Sequence, residues 1–294
     1  MQATNMDELL KTAVEKGASD LHITVERPPV VRITGELADL DYDPLDAETA
    51  QQLLYSILTR QQRDILDSEF ELDLAYDRGD LGRFRVNMYK QKGVYGAAFR
   101  VISSDIPTLG ELGLPPIIAD LAMLKSGMII LTGPTGCGKS TTLACMIDII
   151  NTRRRCHIIT IEDPIEYLHR HKSSVVTQRE VVHDTKSFQN ALKHVLRQNP
   201  DVILVGEMRD LESMEIGITA AETGHLVLTT LHTVDAPQTA DRIVDLFPAE
   251  QQRQIRMQLG GALQAVLSQR LLPRADHSDL VPALEIMIAT PAVR

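Results

Sequence analysis

Long apolar runs are missing from this chain. No stretch approaches the ~18 consecutive residues of a membrane-spanning helix, so no direct membrane span is expected. The opening Met1-Gln-Ala-Thr-Asn-Met-Asp-Glu8 lacks the basic and then apolar segments of a secretory signal peptide. Cysteine is scarce. Cys137, Cys145 and Cys156 form no C-x-x-C pair, which leaves no zinc site and no disulfide framework. Basic residues are outnumbered: 30 Lys and Arg face 40 Asp and Glu, for a net charge of −10. That balance argues against a nucleic-acid groove as the main working surface, because phosphate backbones need clustered Lys and Arg. Internal repeats, low-complexity tracts and coiled-coil heptads are absent as well. The simplest reading of these absences is a reduced, cytoplasmic protein.

What is present divides into two parts. A length of 294 residues suggests about two domains, and 44% hydrophobic residues are enough for sizeable cores. In the first part, Met6 to Lys16 reads as an amphipathic helix ended by Gly17. Leu21 to Val25 and Val30 to Thr34 alternate as strands, and Asp46 to Asp67 reads as one helix with Leu53, Leu54, Ile57, Leu58 and Ile65 on a stripe. Phe70 to Ala75, Gly82 to Lys90 and Gly93 to Ile102 look like further strands of a small α+β domain. Ser103 to Pro116, with three prolines and two glycines, is the linker candidate.

Beyond the linker, strands and helices alternate. Met128–Thr132, His157–Ile161, Val202–Val205 and Leu226–Thr230 are apolar strand candidates. Helices are expected over Thr141–Arg153, Ser187–Arg197, Leu211–Thr223 and Ala249–Leu272. This alternation predicts an α/β fold with a largely parallel sheet.

Between the first of these strands and its helix lies Gly133-Pro-Thr-Gly-Cys-Gly-Lys-Ser140, which fits G-x-x-x-x-G-K-[ST]. Strand, glycine-rich loop and helix together make a phosphate cradle. Gly133, Gly136 and Gly138 let backbone N–H groups face a phosphate, with Thr135, Cys137 and Thr141 completing the loop and the helix start. The helix N-terminus adds partial positive charge. Lys139 reaches the β- and γ-phosphates, and Ser140 is placed to ligate Mg²⁺.

Each apolar strand runs into polar residues. After the phosphate loop come Glu162-Asp-Pro-Ile-Glu166, Gly206-Glu-Met-Arg-Asp210 and Leu231-His-Thr233. Ligands of open α/β sheets bind at the carboxyl ends of strands, so the clusters predict one site. Phosphoryl transfer to water needs a metal, a charge clamp and a group that orients the water. Glu207 directly follows the Val202–Val205 strand, where an acid would hold Mg²⁺ through water. Glu166 is a candidate to orient or deprotonate the attacking water, and Glu162 and Asp163 compete with it. His225 and His232 have two readings, a γ-phosphate sensor or a satisfied structural histidine. Arg83, Arg85 and Arg100 sit on predicted strands of the first domain, where a solvated strand face is the default. Arg153-Arg-Arg155 balances a helix C-terminus.

These residues carry a family resemblance that covers essentially the whole chain. Ala18-Ser-Asp-Leu-His22 looks like an N-terminal signature, Gly133–Thr141 a Walker A, and Ile161–Tyr167 an Asp box. Asp201–Asp210 resembles an atypical Walker B, and Gly224–Val227 with Thr230–Thr233 a His box. In this order and spacing they resemble the secretion-type ATPases of type IV pili and type II secretion. The short form with Ser268–Pro273, without an extra N-terminal domain or tetracysteine insert, is similar to the retraction branch. The resemblance implies a PAS-like domain over residues 1–104 and a RecA-like ATPase domain over 105–294, with ATP and Mg²⁺ as ligands. It implies a homo-hexamer that works on an inner-membrane pilus platform protein, peripheral at the pilus base. It makes Glu166 the catalytic glutamate, keeps His225 and His232 as functional candidates, and lets Arg83, Arg85 or Arg100 approach the nucleotide phosphates.

There are departures from the family pattern. Arg197-Gln-Asn-Pro200 replaces the usual Arg-Glu-Asp-Pro, and Leu259-Gly-Gly-Ala262 is expected to loosen the helix there. The chain stops at Thr290-Pro-Ala-Val-Arg294, where retraction ATPases continue into a further helical segment. Either that segment is truncated or the chain hydrolyses ATP without retracting a pilus. Pilus-assembly and type II secretion ATPases are the alternative within the family. Outside it stand another P-loop enzyme (a GTPase is disfavoured, since no N-K-x-D is present), a nucleic-acid motor and a silent binding module.

Overall fold

The computed structural model describes residues 5–102, 105–274 and 280–293. These fall into two compact units, within Met1–Ser104 and Asp105–Arg294. Ser103 and Ser104 of the predicted linker, and the terminal Arg294, lie outside the described residues.

The first unit opens with α1 (Met6–Glu15), capped by the Asn5 side chain and burying Met6, Leu9, Leu10 and Ala13. That i, i+3, i+4, i+7 spacing puts the four on one helix face. There follow β1 (Asp20–Ile23), β2 (Val30–Ile33), β3 (Glu36–Asp39), α2 (Ala47–Ser56), α3 (Arg60–Glu69), β4 (Glu71–Asp77), β5 (Arg83–Gln91) and β6 (Val94–Ile102). The six strands form an antiparallel sheet in the order β3-β2-β1-β6-β5-β4.

The single helix expected over Asp46–Asp67 is in fact two, α2 and α3. Thr59 starts the second with a capping box: the Gln62 N–H donates to Thr59 Oγ1 at 3.3 Å, and the Thr59 N–H donates to Gln62 Oε1 at 2.9 Å. The restart also resets the apolar register. Leu66 is fully buried, whereas Ile65 of the predicted stripe is 38% exposed.

The second unit contains α4 (Ile117–Ala122), β7 (Gly127–Thr132), α5 (Lys139–Arg153), β8 (His157–Glu162), β9 (Val175–Glu180), α6 (Phe188–Val195) and β10 (Val202–Val205). It continues with α7 (Leu211–Glu222), β11 (Leu226–Leu231), α8 (Ala236–Val244), α9 (Ala249–Ala262), β12 (Leu263–Pro273) and β13 (Leu280–Ile288). The sheet order is β13-β12-β7-β11-β10-β8-β9, with every neighbouring pair parallel except β12 and β13. Both faces of this sheet are covered. Ile129, Leu131, Leu204 and Leu228 pack with Leu143, Met146, Ile147 and Ile150 of α5. Met128, Ile130, Ile203 and Val227 pack with Met214 and Ile218 of α7 and with Ile255 and Leu259 of α9 on the other side. Parallel sheets require such double cover, which is why these strands read as continuous apolar runs.

Two expectations need correction here. The helix predicted over Ala249–Leu272 stops at Ala262, just past the Gly260-Gly261 pair, and the chain becomes β12. From Ala265 to Leu267 alternate side chains enter opposite cores: Ala265 and Leu267 join the α5 side, Val266 the α7 side. That period of two is a strand's. The stretch after residue 104 is also more than a linker, since Leu109, Leu112 and Leu114 pack into the α5-side core.

Candidate functional site: a phosphate cradle at the carboxyl edge of the parallel sheet

Because β7, β8, β10 and β11 run parallel, their carboxyl ends share one edge. The phosphate loop follows β7, and α5 begins at Lys139 with Gly138 in the left-handed region as its N-cap. Gly133 has φ +141°, and a Cβ there would lie 2.2 Å from the Gln269 carbonyl oxygen and 2.8 Å from Cys137 Sγ. Thr135 and Gly136 are exposed on the lip of the loop, while Cys137 is buried beneath it.

Gln269 of β12 forms the floor. Its Nε2 donates to the Cys137 carbonyl at 2.7 Å and its Oε1 accepts from Thr142 Oγ1 at 2.8 Å. It is 3% exposed and both ends of its amide are bonded. Lys139 folds over the loop, donating from Nζ to the carbonyls of Gly133 (2.7 Å) and Pro134 (2.9 Å). This packing brings backbone, a cation and a helix N-terminus together, the arrangement that suits phosphate.

The acidic loop after β8 meets the start of α5. Ser140 Oγ donates to Glu166 Oε1 at 2.9 Å, and Thr141 Oγ1 lies 3.0 Å from Tyr167 Oη. Glu162 is in a different environment. It accepts from Thr160 Oγ1 at 2.6 Å and from Gln178 Nε2 at 3.1 Å. Burial pushes its carboxyl up to about 7; these two donors oppose the shift and the Glu166 carboxylate adds to it. Asp163 is exposed. Of the three competing acids, Glu166 is the one bonded to the phosphate-loop helix.

Glu207 follows β10 as expected. Arg209 Nε donates to its Oε1, and His232 Nε2 lies 3.3 Å from that oxygen. Thr230 Oγ1 donates to the Gly206 carbonyl at 2.6 Å, tying β11 to the same turn. His232 therefore joins the edge cluster. His225 does not. It precedes β11, at the opposite edge of the sheet, where its Nδ1 lies 2.9 Å from the Ala220 carbonyl. Six strand residues, and so seven steps of the backbone, separate the two histidines along β11, about 23 Å at the usual rise.

Arg83, Arg85 and Arg100 belong to the first unit. Arg85 and Arg100 are cross-strand partners on β5 and β6, and Asp20 of β1 faces both Arg100 and Arg32. Arg100 Nε lies 2.9 Å from Asp20 Oδ1. Burial pushes the Asp20 carboxyl up, but the Ser19 hydroxyl and the Arg100 guanidinium outweigh it and hold the group below its ordinary range. Arg85 is exposed and Arg83 half-buried.

Among the described residues no group of three or more His, Cys, Asp or Glu converges. Ser140 and Glu207 offer the kind of oxygen donors that fit Mg²⁺, which binds one or two protein oxygens together with substrate phosphates. Gln269 and Tyr167 went unrecognised in the sequence. Gln269 fell within a stretch read as helix, and its only signal was membership of the Ser268–Pro273 motif.

The chain matches the Type II/IV secretion system protein family over residues 2–281. It belongs to that family. It is 45% identical over 290 residues to the type IV pilus retractation ATPase PilT of Pseudomonas aeruginosa, covering 99% of this chain and 84% of that one. It is 46% identical over 266 residues to the twitching motility protein of Neisseria gonorrhoeae, covering 90% and 71%. The structure resembles the crystal structure of the pilus retraction motor PilT with bound ADP, with a TM-score of 0.92 and 49% identity over 99% of this chain and 84% of that one. The Legionella pneumophila ATPase DotB follows at a TM-score of 0.83 and 30% identity, over 98% and 81%. The family resemblance read from the four boxes is thus borne out, as is an ATPase on the retraction side of the family. No helix among the described residues is long and apolar enough to cross a membrane.

Proposed function

We propose that this chain is an ATP-hydrolysing motor of type IV pilus retraction, with a PAS-like first unit and a RecA-like second unit. In this reading it works as a homo-hexamer at the cytoplasmic base of the pilus, against an inner-membrane platform protein. The observation that carries the reading is the hydrogen bond between Ser140 and Glu166, beside a glycine cradle too tight for a Cβ, in a chain that is similar along 99% of its length to a retraction motor.

The chemistry follows from the residues. Backbone N–H groups of the loop and the α5 N-terminus receive the β-phosphate. Lys139 exchanges its two loop carbonyls for β- and γ-phosphate oxygens and neutralises the charge that builds during transfer. Bound Mg²⁺ would supply positive charge that offsets the negative charge of the phosphates. Ser140 and Glu207 are the side chains that would hold it, Glu207 through water, with Arg209 and His232 orienting the Glu207 carboxylate. Glu166 orients the attacking water and takes its proton as the water oxygen bonds to the γ-phosphorus. The bond from that phosphorus to the bridging oxygen breaks, and ADP leaves with the bonding pair. Arg83, Arg85 or Arg100 of another subunit would complete the charge clamp.

The test is phosphate release by the purified chain. Lys139→Ala should reduce turnover at least on the order of 10³-fold. Turnover near that of the unmodified chain would remove the phosphate-loop assignment. Light scattering with a non-hydrolysable ATP analogue should give six times the chain mass, and a fully active monomer would remove the shared site.

A further inference from the structure

The segment from Asp163 to Ser174, between β8 and β9, contains no helix or named strand, yet it carries Glu166. One side chain of β9 ties it down on both sides of that residue. Gln178 Nε2 donates to Glu162 Oε1 at 3.1 Å and to the Tyr167 carbonyl at 2.9 Å. Gln178 Oε1 accepts the His169 N–H at 2.7 Å. Further bonds add to the frame, among them those of Asn151 to the Arg170 carbonyl and the Lys172 N–H and of the Glu166 N–H to the Glu162 carboxylate. Glu180 Oε2, also on β9, accepts the Ile165 N–H at 3.1 Å, and Tyr167 Oη reaches Thr141 at 3.0 Å. Glu166 itself is exposed and is bonded to the second unit's helix α5 through Ser140 alone. A single bond to a rotatable hydroxyl fixes no orientation, so the backbone on either side must supply it.

We propose that Gln178 is a positioning residue for hydrolysis: its amide holds residues 162–169 so that the Glu166 carboxylate meets the attacking water at the phosphate loop. The inference rests on Glu166 as the proton acceptor of the proposed reaction. A primary amide suits the task, because it donates two N–H bonds and accepts at its oxygen from one position. Neither a leucine of similar volume nor a carboxylate can do both.

Three variants test this. Gln178→Leu removes all three bonds and should lower turnover at saturating ATP on the order of 10–100-fold, the penalty for an ångström-scale misplacement. Affinity for a fluorescent ADP analogue should stay within about twofold, because ground-state binding uses other groups. Gln178→Glu keeps the acceptor for His169 but loses both donors; it should fall in the same direction and stands in if the leucine variant does not fold. The double variant Glu166→Gln/Gln178→Leu should be no slower than Glu166→Gln alone, since both changes act through one carboxylate.

Normal turnover in a folded Gln178→Leu, or in Gln178→Glu where the leucine variant does not fold, overturns the proposal. So does a loss of ADP affinity as large as the loss of turnover, or full multiplication of the two losses in the double variant. If Glu166→Gln alone hydrolyses normally, the Glu166 assignment fails, and this inference with it. A slow Glu166→Gln beside an unimpaired Gln178→Leu sinks the inference only.

Discussion

The two sheets of this chain use their surfaces differently. In the first unit the strands are antiparallel and β5 alternates, with Phe84, Val86 and Met88 buried and Arg85 and Asn87 outside. In the second, β7 is buried at each of its six positions because helices cover both faces. A sheet with one open face can present charged side chains from the middle of its strands. A sandwiched parallel sheet cannot, so its chemistry moves past the strand ends, onto loops that need support from elsewhere. Gln269 under the phosphate loop and Gln178 behind the acidic loop are that support.

The largest test of this contrast compares two glycines. Gly133→Ala drives a Cβ to 2.2 Å from the Gln269 carbonyl, so the cradle must open. Affinity for ADP, measured by calorimetry, should fall at least on the order of 100-fold as the N–H donors lose their alignment. Gly35, in the β2–β3 turn at φ +88°, meets nothing within 4 Å. Gly35→Ala should cost about 1 kcal/mol of stability through backbone strain alone and leave ADP affinity unchanged. Equal effects on ADP affinity would erase the difference between the sheets.

A smaller effect is expected at Glu162, the carboxyl that the covered sheet half-swallows. Its folded-state pKa of about 7 lies above the ordinary 4.5, so between those values the folded form binds more protons than the unfolded one. Stability from this group is therefore present at low pH and lost as pH rises through 7. Glu162→Gln removes the titration and keeps an oxygen for Thr160 and Gln178. Urea unfolding should show a flatter pH profile between 5 and 8 and a gain of about 1–3 kcal/mol at pH 8. A profile unchanged by the substitution would place the titration elsewhere.

The smallest effect belongs to the open face. Arg85→Ala should change the unfolding free energy by less than about 0.5 kcal/mol, because an exposed side chain on a solvated strand face has little to lose. A drop in turnover at that unchanged stability would mark Arg85 as the arginine serving a neighbouring site. A drop in stability above 2 kcal/mol or so would contradict the open face itself.

Much of this arrangement was legible in the sequence, for physical reasons. Double burial turns β7, β8, β10 and β11 into apolar runs, and their polar ends mark the site edge, so Lys139, Ser140, Glu166 and Glu207 stand out. The same burial conceals β12. Leu263 to Leu267 is apolar on both faces, and periodicity does not separate such a strand from a buried helix. Strand β9 escapes for the opposite cause, since Thr177, Gln178 and Arg179 on a sheet edge are half-buried and polar. The break between α2 and α3 carries no Gly or Pro; its signal was the Thr59 and Gln62 pair. Both supporting glutamines make contacts that no local pattern encodes: Gln269 meets Cys137 across 132 positions, and Gln178 reaches back 11 to Tyr167.

That 132-residue separation has a consequence for how the protein comes into being. Ribosomes deliver the glycine loop first and its floor much later; at about 5–20 residues per second, the interval is on the order of ten seconds. During that time β7 has no β12 beside it, and nothing bonds the Cys137 carbonyl or the Thr142 hydroxyl from below. The floor of the cradle is complete only once β12 lies beside β7. The floor beneath the glycine loop is therefore a late arrival in synthesis, supplied by a strand made long after the loop it supports.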